Sequence, residues 1–363
     1  MDYKGRISRL RPSLDRQKLD VLLITHLPNV RYLCGFTGSA GTLCVTHGSA
    51  IFFTDGRYTE QAREEVEGAR VVITRKSPLA AVAEWIRSAI RAGKRKRTIG
   101  TESEHLTVAT LTRLSELLPR DYSLRKTSNL VEQLRMIKDE NELALIRRAV
   151  HVGASLFDDI LKSVRPGISE TSVAAEMEYS ARRKGAEGMS FGTIIASGKR
   201  SALPHARASE QPIDSPGFVV CDFGVILTGY CSDMTRTLYV GQPDREARSF
   251  YEAVLEAQLA GVDAVRPGCT VAEVDQAARK VLQKAKLARY FTHSTGHGVG
   301  LEIHEAPKIA SGQTEVLRPG MVITIEPGAY IPGKWGVRIE DMVAVTDYGC
   351  EVLTPTSKSL VVV

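Results

Sequence analysis

The chain has 363 residues, 43% of them apolar and 25% charged, ordinary values for a globular protein. That length exceeds what one hydrophobic core usually fills and points to two domains. Apolar runs such as Val219–Cys221 and Leu360–Val363 fall far short of the roughly 20 residues a membrane helix needs, so no membrane partner is expected.

The first half alternates helix and strand signals. Leu10–Leu19 reads as a helix and Asp20–Thr25 as a strand, and Thr42–Val45 and Ala50–Thr54 read as a hairpin around His47-Gly48. Arg57–Glu67, Leu79–Arg91 and Glu104–Leu118 are expected to be helical, with strands at Arg70–Thr74 and Arg97–Gly100. This alternation predicts an α/β domain. We set the boundary at about residue 130, giving domains 1–130 and 131–363. A long helix from about Glu140 to Val164 follows, with Leu143, Ile146, Val150, Leu156, Phe157 and Ile160 near helical spacing.

The formal net charge of +6 hides an asymmetry between these parts. Residues 1–130 carry 22 basic and 13 acidic side chains, whereas the remainder carries 26 and 29. Part of the basic excess is Arg91-Ala-Gly-Lys94-Arg95-Lys96-Arg97. It lacks interleaved aromatics and any nucleic-acid motif, so it reads as a solvated turn between a helix and a strand. No nucleic-acid partner is expected. Asp2, Lys4 and Arg6 do not open a basic-then-apolar secretory pattern. The six cysteines, Cys34, Cys44, Cys221, Cys231, Cys269 and Cys350, form no C-x-x-C or zinc-ribbon spacing. They read as reduced, buried thiols of a cytoplasmic protein.

The second half contains an internal repeat. Val164-Arg-Pro-Gly167, with Ser169 as the cap of the next helix, returns as Val265-Arg-Pro-Gly268 with Thr270 as cap. Pro216-Gly217 before a β-branched run ending at Asp222 matches Pro319-Gly320 before one ending at Glu326, and His205 matches His304. The offsets are 101 residues for Pro166/Pro267, 99 for His205/His304 and 103 for Pro216/Pro319. Two helix-pair-then-strand halves related by a pseudo-two-fold axis are expected.

Each half also presents two acidic groups on or beside consecutive strands: Asp222 and Asp233, then Glu326 and Glu340. Arg338 and Glu340 are expected on one face of a single strand, because side chains alternate with period two. Between the halves lies Ser294-Thr-Gly-His297-Gly-Val-Gly300, whose glycines let backbone approach closely around a histidine. Four carboxylates and an imidazole gathered in one place repel unless neutralised, and an unpaired buried charge costs several kcal/mol. Two divalent ions are the natural counter-charge. The oxygen-rich set with one nitrogen suits Mn²⁺, with Co²⁺, Zn²⁺ or Fe²⁺ also compatible. Two such ions about 3.5–4 Å apart generate a nucleophile from water at neutral pH.

Together these phrases resemble the pita-bread metallopeptidases, in the branch of Xaa-Pro aminopeptidases (aminopeptidase P) and Xaa-Pro dipeptidases (prolidases). The matching segments are Asp222-Phe-Gly, Ser232-Asp233-Met-Thr-Arg-Thr, Gly296-His297-Gly-Val-Gly-Leu, Ile303-His304-Glu-Ala-Pro, Glu326-Pro-Gly and Val337-Arg-Ile-Glu340-Asp. Leu134-Arg-Met-Ile-Lys-Asp139 resembles the family's entry into its catalytic domain. Gly35-Phe-Thr-Gly-Ser-Ala-Gly41 and Thr54-Asp-Gly-Arg-Tyr58 resemble its N-terminal domain. The resemblance implies a creatinase-like α/β N-terminal domain before an α+β pita-bread catalytic domain.

It also implies roles. Asp222, Asp233, His297, Glu326 and Glu340 match the metal ligands, with Asp233 and Glu340 bridging, Asp222 completing one site, and His297 with Glu326 the other. His205 matches a histidine that stabilises the tetrahedral intermediate or moves a proton, and His293 and His304 match histidines that contact substrate around the prolyl residue. Glu326 is the candidate proton acceptor, and Arg338 matches an arginine that holds carboxylates in place. Arg236 and Asp341 adjoin ligands, where a structural salt bridge is an equal reading.

The implied activity is hydrolysis of the Xaa-Pro bond at the N-terminus of peptides by a homodimer. The alternative is a prolidase restricted to dipeptides. Retention of all five ligand types argues against a metal-free creatinase-like amidinohydrolase and a non-catalytic interaction protein. The organised N-terminal domain argues against methionine aminopeptidase.

Overall fold

The computed structural model describes residues 1–90 and 96–363. The chain divides into two compact units, Met1–Arg135 and Met136–Val363.

The first unit is built on a six-stranded mixed sheet. Its spatial order is Arg70–Thr74, Ala50–Asp55, Thr42–Thr46, Val21–Ile24, Arg97–Glu102 and Tyr122–Thr127. The expected hairpin is present, pairing Thr42 with Phe53 and Val45 with Ala50. The flanking strands add in parallel. The first helix runs over Tyr3–Arg16 rather than Leu10–Leu19, because the Asp2 carboxylate caps it by accepting the Gly5 N–H. The helices at Thr59–Glu65, Pro78–Ala89 and Val108–Leu117 are shorter than their apolar patterns suggested. The helix Leu27–Cys34, with Pro28 in its first turn and Gly35 closing it at φ 86°, was not anticipated, and nor was the strand Tyr122–Thr127. Of the basic run, residues 91–95 lie outside the described residues, and Arg97 sits on a strand, donating to Asp20 Oδ1 at 2.9 Å.

In the second unit the helix Glu140–Ser163 opens with a capping box between Asp139 and Glu142, and all six of its expected apolar positions are buried. The repeat is written in matched backbone bonds. Gly167 and Gly268 both adopt the left-handed conformation (φ 85° and 86°). Their N–H groups donate to Ile213 O and Leu317 O respectively. Three residues on, Glu170 N–H donates to Gln211 O and Val271 N–H to Glu315 O. Ser169 and Thr270 cap the helices Glu170–Arg183 and Val271–Lys284, as expected. Each half then adds antiparallel strands: Ile194–Ser197, Gly217–Phe223 and Met234–Val240 in the first, with Gly296–Gly298, Val322–Ile325 and Asp341–Val345 in the second. Among the described residues no helix is long and apolar enough to cross a membrane.

A Cβ on Gly268 would meet nothing within 4 Å, so replacement there is opposed by backbone conformation alone. Gly268→Ala is expected to lower unfolding free energy by about 1–2 kcal/mol, read as a lower urea midpoint at unchanged m-value.

Candidate metal centre

Sheet register brings the acidic residues together. Asp222 lies near the end of the strand Gly217–Phe223, opposite Thr235, and Asp233 stands one residue before the returning strand Met234–Val240. The second half repeats this: Glu326 follows Val322–Ile325, and Glu340 precedes Asp341–Val345, with Ile325 paired to Asp341. So each half supplies one carboxylate from an outgoing strand and one from the start of its return. His297 sits mid-strand between two glycines that have no room for a side chain. A Cβ on Gly296 would lie 1.9 Å from Thr324 O, and one on Gly298 2.2 Å from Ala306 O.

Asp222, Asp233, Glu326, Glu340, His205, His293, His297, His304 and Arg338 all line one cavity of about 590 Å³. The strand carrying Arg338 ends at that residue, so Arg338 and Glu340 do not share a strand. Ile339, outside any strand, separates them, and both still reach the cavity.

The hydrogen bonds leave particular atoms unspent. Arg338 Nη2 donates to Asp222 Oδ2, and Thr235 Oγ1 donates to Glu340 Oε2 at 2.6 Å. Asp222 Oδ1 and Glu340 Oε1 remain buried with no hydrogen-bond partner among the described residues. His297 Nδ1 donates to the Gly298 carbonyl at 3.0 Å, which leaves Nε2 as the lone-pair nitrogen. That nitrogen lies 3.4 Å from Glu326 Oε1 and 3.6 Å from Asp233 Oδ2. Asp233, His297 and Glu340 each offer a ligand atom, all within 4.8 Å of one another. Orphaned buried oxygens beside a lone-pair nitrogen fit a divalent cation.

The titration behaviour agrees. Burial, then the neighbouring carboxylates, raises Asp233 and Glu340 well above the usual carboxylate range. Burial also lifts Glu326 to about 7, against the pull of Arg338. Burial lowers His297, and burial together with Arg338 lowers His293 to about 4. His304 is lowered by burial and by the neighbouring His297 and His205.

The sequence reading missed several participants. Thr235 and Thr324 donate to Glu340 and Glu326, and Tyr330 OH bridges Arg338 (2.6 Å) and His293 (3.0 Å). Phe191, Arg207 and Lys308 also line the cavity. Thr235 was findable, since period-two alternation in Asp233-Met-Thr235 sends both side chains to one face. Arg236 and Asp341 do not line the cavity. They form a buried ion pair at 2.7 Å, with Lys358 and Gln258 also on Asp341.

A mixed α/β unit followed by a duplicated unit that gathers four carboxylates and an imidazole defines a two-domain metallohydrolase. The chain belongs to metallopeptidase family M24, whose model matches residues 144–347, and the creatinase/prolidase N-terminal domain model matches residues 6–137. It is a metal-dependent hydrolase of the pita-bread fold.

The chain is similar to a solved Xaa-Pro dipeptidase from Bacillus anthracis, at 42% identity with both chains fully covered and a TM-score of 0.95. An Xaa-Pro dipeptidase of Pyrococcus horikoshii is 36% identical over 98% of each chain. A solved X-Pro aminopeptidase from Thermotoga maritima is 34% identical over 96% of this chain and 99% of its own, with a TM-score of 0.88. Between the two peptidase readings, the relatives favour the dipeptidase over the aminopeptidase.

A pH dependence follows for the metal-free protein. His293, His297 and His304 are lowered on folding, so they shape the slope only up to and around the unfolded histidine value near 6.5, and above it the carboxyl groups govern. Glu326, raised to about 7 when folded, contributes stability that is complete below its unfolded value near 4.5 and is lost as pH climbs through about 7, and the raised Asp233 and Glu340 act in the same direction. The urea midpoint of chelated protein is therefore expected to fall between pH 6.5 and 8, and excess Mn²⁺ is expected to restore it.

Proposed function

We propose that this chain is a prolidase, hydrolysing the Xaa-Pro bond of dipeptides with two divalent ions held by Asp222, Asp233, His297, Glu326 and Glu340. The observation that carries the reading is the convergence of these five residues on a cavity whose wall also bears Arg207 and Lys308. Mn²⁺ suits the donor set best, with Co²⁺, Zn²⁺ or Fe²⁺ compatible. Bound ions supply Lewis acidity and lower the pKa of water in the site.

The chain's own residues do the rest. Glu326, on the cavity wall beside His297, accepts a proton from attacking water and passes it to the departing prolyl nitrogen. Its Oε1 already accepts the Thr324 hydroxyl at 3.2 Å, so Oε2 is the atom that carries the proton. His205 and His304 stand more exposed in the cavity wall and donate to the carbonyl oxygen as it gains charge. His293 has both ring nitrogens engaged, Nδ1 with Ser294 O and Nε2 with Tyr330 OH, so it meets substrate with its ring edge. Phe191, Ile194 and Pro204 offer apolar surface for a prolyl ring. Arg338 is held by Asp222, Tyr330 and Thr235, which leaves Lys308 and Arg207 as the cations for a dipeptide's terminal carboxylate. Lys308 stands directly across the strand pair from His297.

The proposal assigns the chemistry to residues 131–363. It includes a cytoplasmic location, supported by six free cysteines. A homodimer, implied by the family resemblance, belongs to the same proposal.

A substrate-length series after chelation and Mn²⁺ addition tests it. Ala-Pro is expected to turn over and Ala-Pro-Ala to be at least about tenfold poorer, because its carboxylate lies one residue farther out. Equal cleavage of both returns the aminopeptidase reading, and full activity under chelation removes the metal mechanism. Asp233→Ala is expected to abolish turnover. Lys308→Met is expected to raise KM for Ala-Pro by about tenfold or more, the scale of a lost charge-assisted hydrogen bond.

A further inference from the structure

The two halves hold the cavity wall by a shared device that has been elaborated in only one of them. In the first half Thr193, just before the strand Ile194–Ser197, donates its hydroxyl to Glu178 Oε1 on the helix Glu170–Arg183 at 2.7 Å. In the second half Thr295, just before Gly296–Gly298, donates to Asp275 Oδ1 on the helix Val271–Lys284, also at 2.7 Å. Thr193 and Thr295 are 102 residues apart, and so are Phe191 and His293, the cavity-lining residues two places upstream of each. Thus each half contributes one wall residue, placed two residues before a threonine anchored to its own second helix.

The second half adds an arginine. Arg279 lies one turn beyond Asp275 and pairs with its Oδ2 at 2.7 Å. It donates from Nη1 to Phe291 O (3.2 Å) and from Nη2 to His293 O (2.5 Å). Its guanidinium also covers the Phe291 ring at 4.2 Å, and that ring meets His293 edge-on at 5.0 Å. By the helix offset of 101 residues, Glu178 is the register counterpart of Arg279. The first half therefore has a carboxylate where the second has the arginine, one turn on from Asp275. The irregular segment Phe291–Thr295 is gripped at three residues by one ion pair, and His293 sits in the middle of the grip.

We infer that Asp275 and Arg279 are positioning residues that fix the His293 wall of the pocket, and that Glu178 does the same for Phe191, so that these helix residues govern substrate fit without touching substrate. The clamp acts on backbone and ring orientation. With Arg279 on its carbonyl, His293 keeps Nδ1 on Ser294 O and Nε2 on Tyr330 OH, a single tautomer with a protected Nδ1–H. This inference rests on the dipeptidase reading for its kinetic consequence but not for its structural one.

The test combines kinetics with a readout that needs no turnover, using full-length protein reconstituted with Mn²⁺ for assays and metal-free ¹⁵N-histidine-labelled protein for NMR. The Nδ1–H resonance of His293, assigned by its loss in His293→Gln, is expected in the wild type and expected to vanish into solvent exchange in Arg279→Ala. Arg279→Ala and Asp275→Asn are expected to raise KM for Ala-Pro by about five- to tenfold with kcat within about twofold, the pattern of lost fit rather than lost chemistry. Glu178→Gln is expected to raise KM similarly while leaving the His293 resonance in place. Arg279→Lys is expected to recover most of both signals. An unchanged resonance in Arg279→Ala overturns the proposal, and so does an unchanged KM, or a fall in kcat with a lower melting temperature at constant KM. If the wild type fails to cleave Xaa-Pro dipeptides, the dipeptidase reading falls, and the resonance alone decides the clamp.

Discussion

Mutual repulsion among buried carboxylates is the constraint that organises the catalytic unit. Asp222, Asp233 and Glu340 are all buried, Glu326 adjoins them, and the guanidinium among them, Arg338, is committed to Asp222. The hydroxyls of Thr235 and Thr324 orient Glu340 and Glu326 but carry no charge. Asp341 next door shows what the fold does when it wants a buried carboxylate neutralised from within. That group, fully buried, meets Arg236, Lys358 and Gln258. Against one carboxylate with two cations, the cluster of Asp222, Asp233, Glu326 and Glu340 sets four carboxylates around the single guanidinium of Arg338. The raised pKa values of three of the four express the same imbalance. A site built this way either holds protons or holds metal, and membership of a metallopeptidase family selects metal.

The duplicated architecture explains how such a costly cluster is assembled at strand ends. In each half an antiparallel strand pair delivers one carboxylate at or just past its outgoing end and one just before its return, so each lies in, or within one residue of, a hydrogen-bonded ladder. The helices behind the strands are capped and stopped by matching residues, and the left-handed glycines Gly167 and Gly268 turn the chain at the same point in each half. Precision at the site is inherited from secondary structure.

Much of this was legible because the signals were local. Pro-Gly stops, Ser or Thr caps and acid-after-strand phrases each occupy a few consecutive residues, and their near-constant offset exposed the repeat. The missed features depend on contacts distant in sequence or on single residues. The first helix begins at Tyr3 because one carboxylate, Asp2, caps it, and a lone aspartate near a terminus carries no pattern. Tyr330 joins His293 to Arg338 through a hydroxyl whose partners lie 37 and 8 residues away. The bonds from Thr193 to Glu178 and from Thr295 to Asp275 span 15 and 20 residues, with no motif to flag them.

The repeat is also informative where it fails. By the 102-residue offset that relates Thr193 to Thr295, the counterpart of His297 is Ile195, a fully buried core residue on its own strand. The carboxylates are duplicated two and two, but the imidazole is not. The pseudo-symmetric set of oxygens therefore has a nitrogen on one side only, so its two sides would offer a cation different donors, oxygen alone on one and oxygen with a neutral nitrogen on the other. The half that carries His297 also carries His293 and the arginine that holds it. The charge of the site is shared between the halves, whereas its imidazole at the strand and the clamp behind it belong to one side alone.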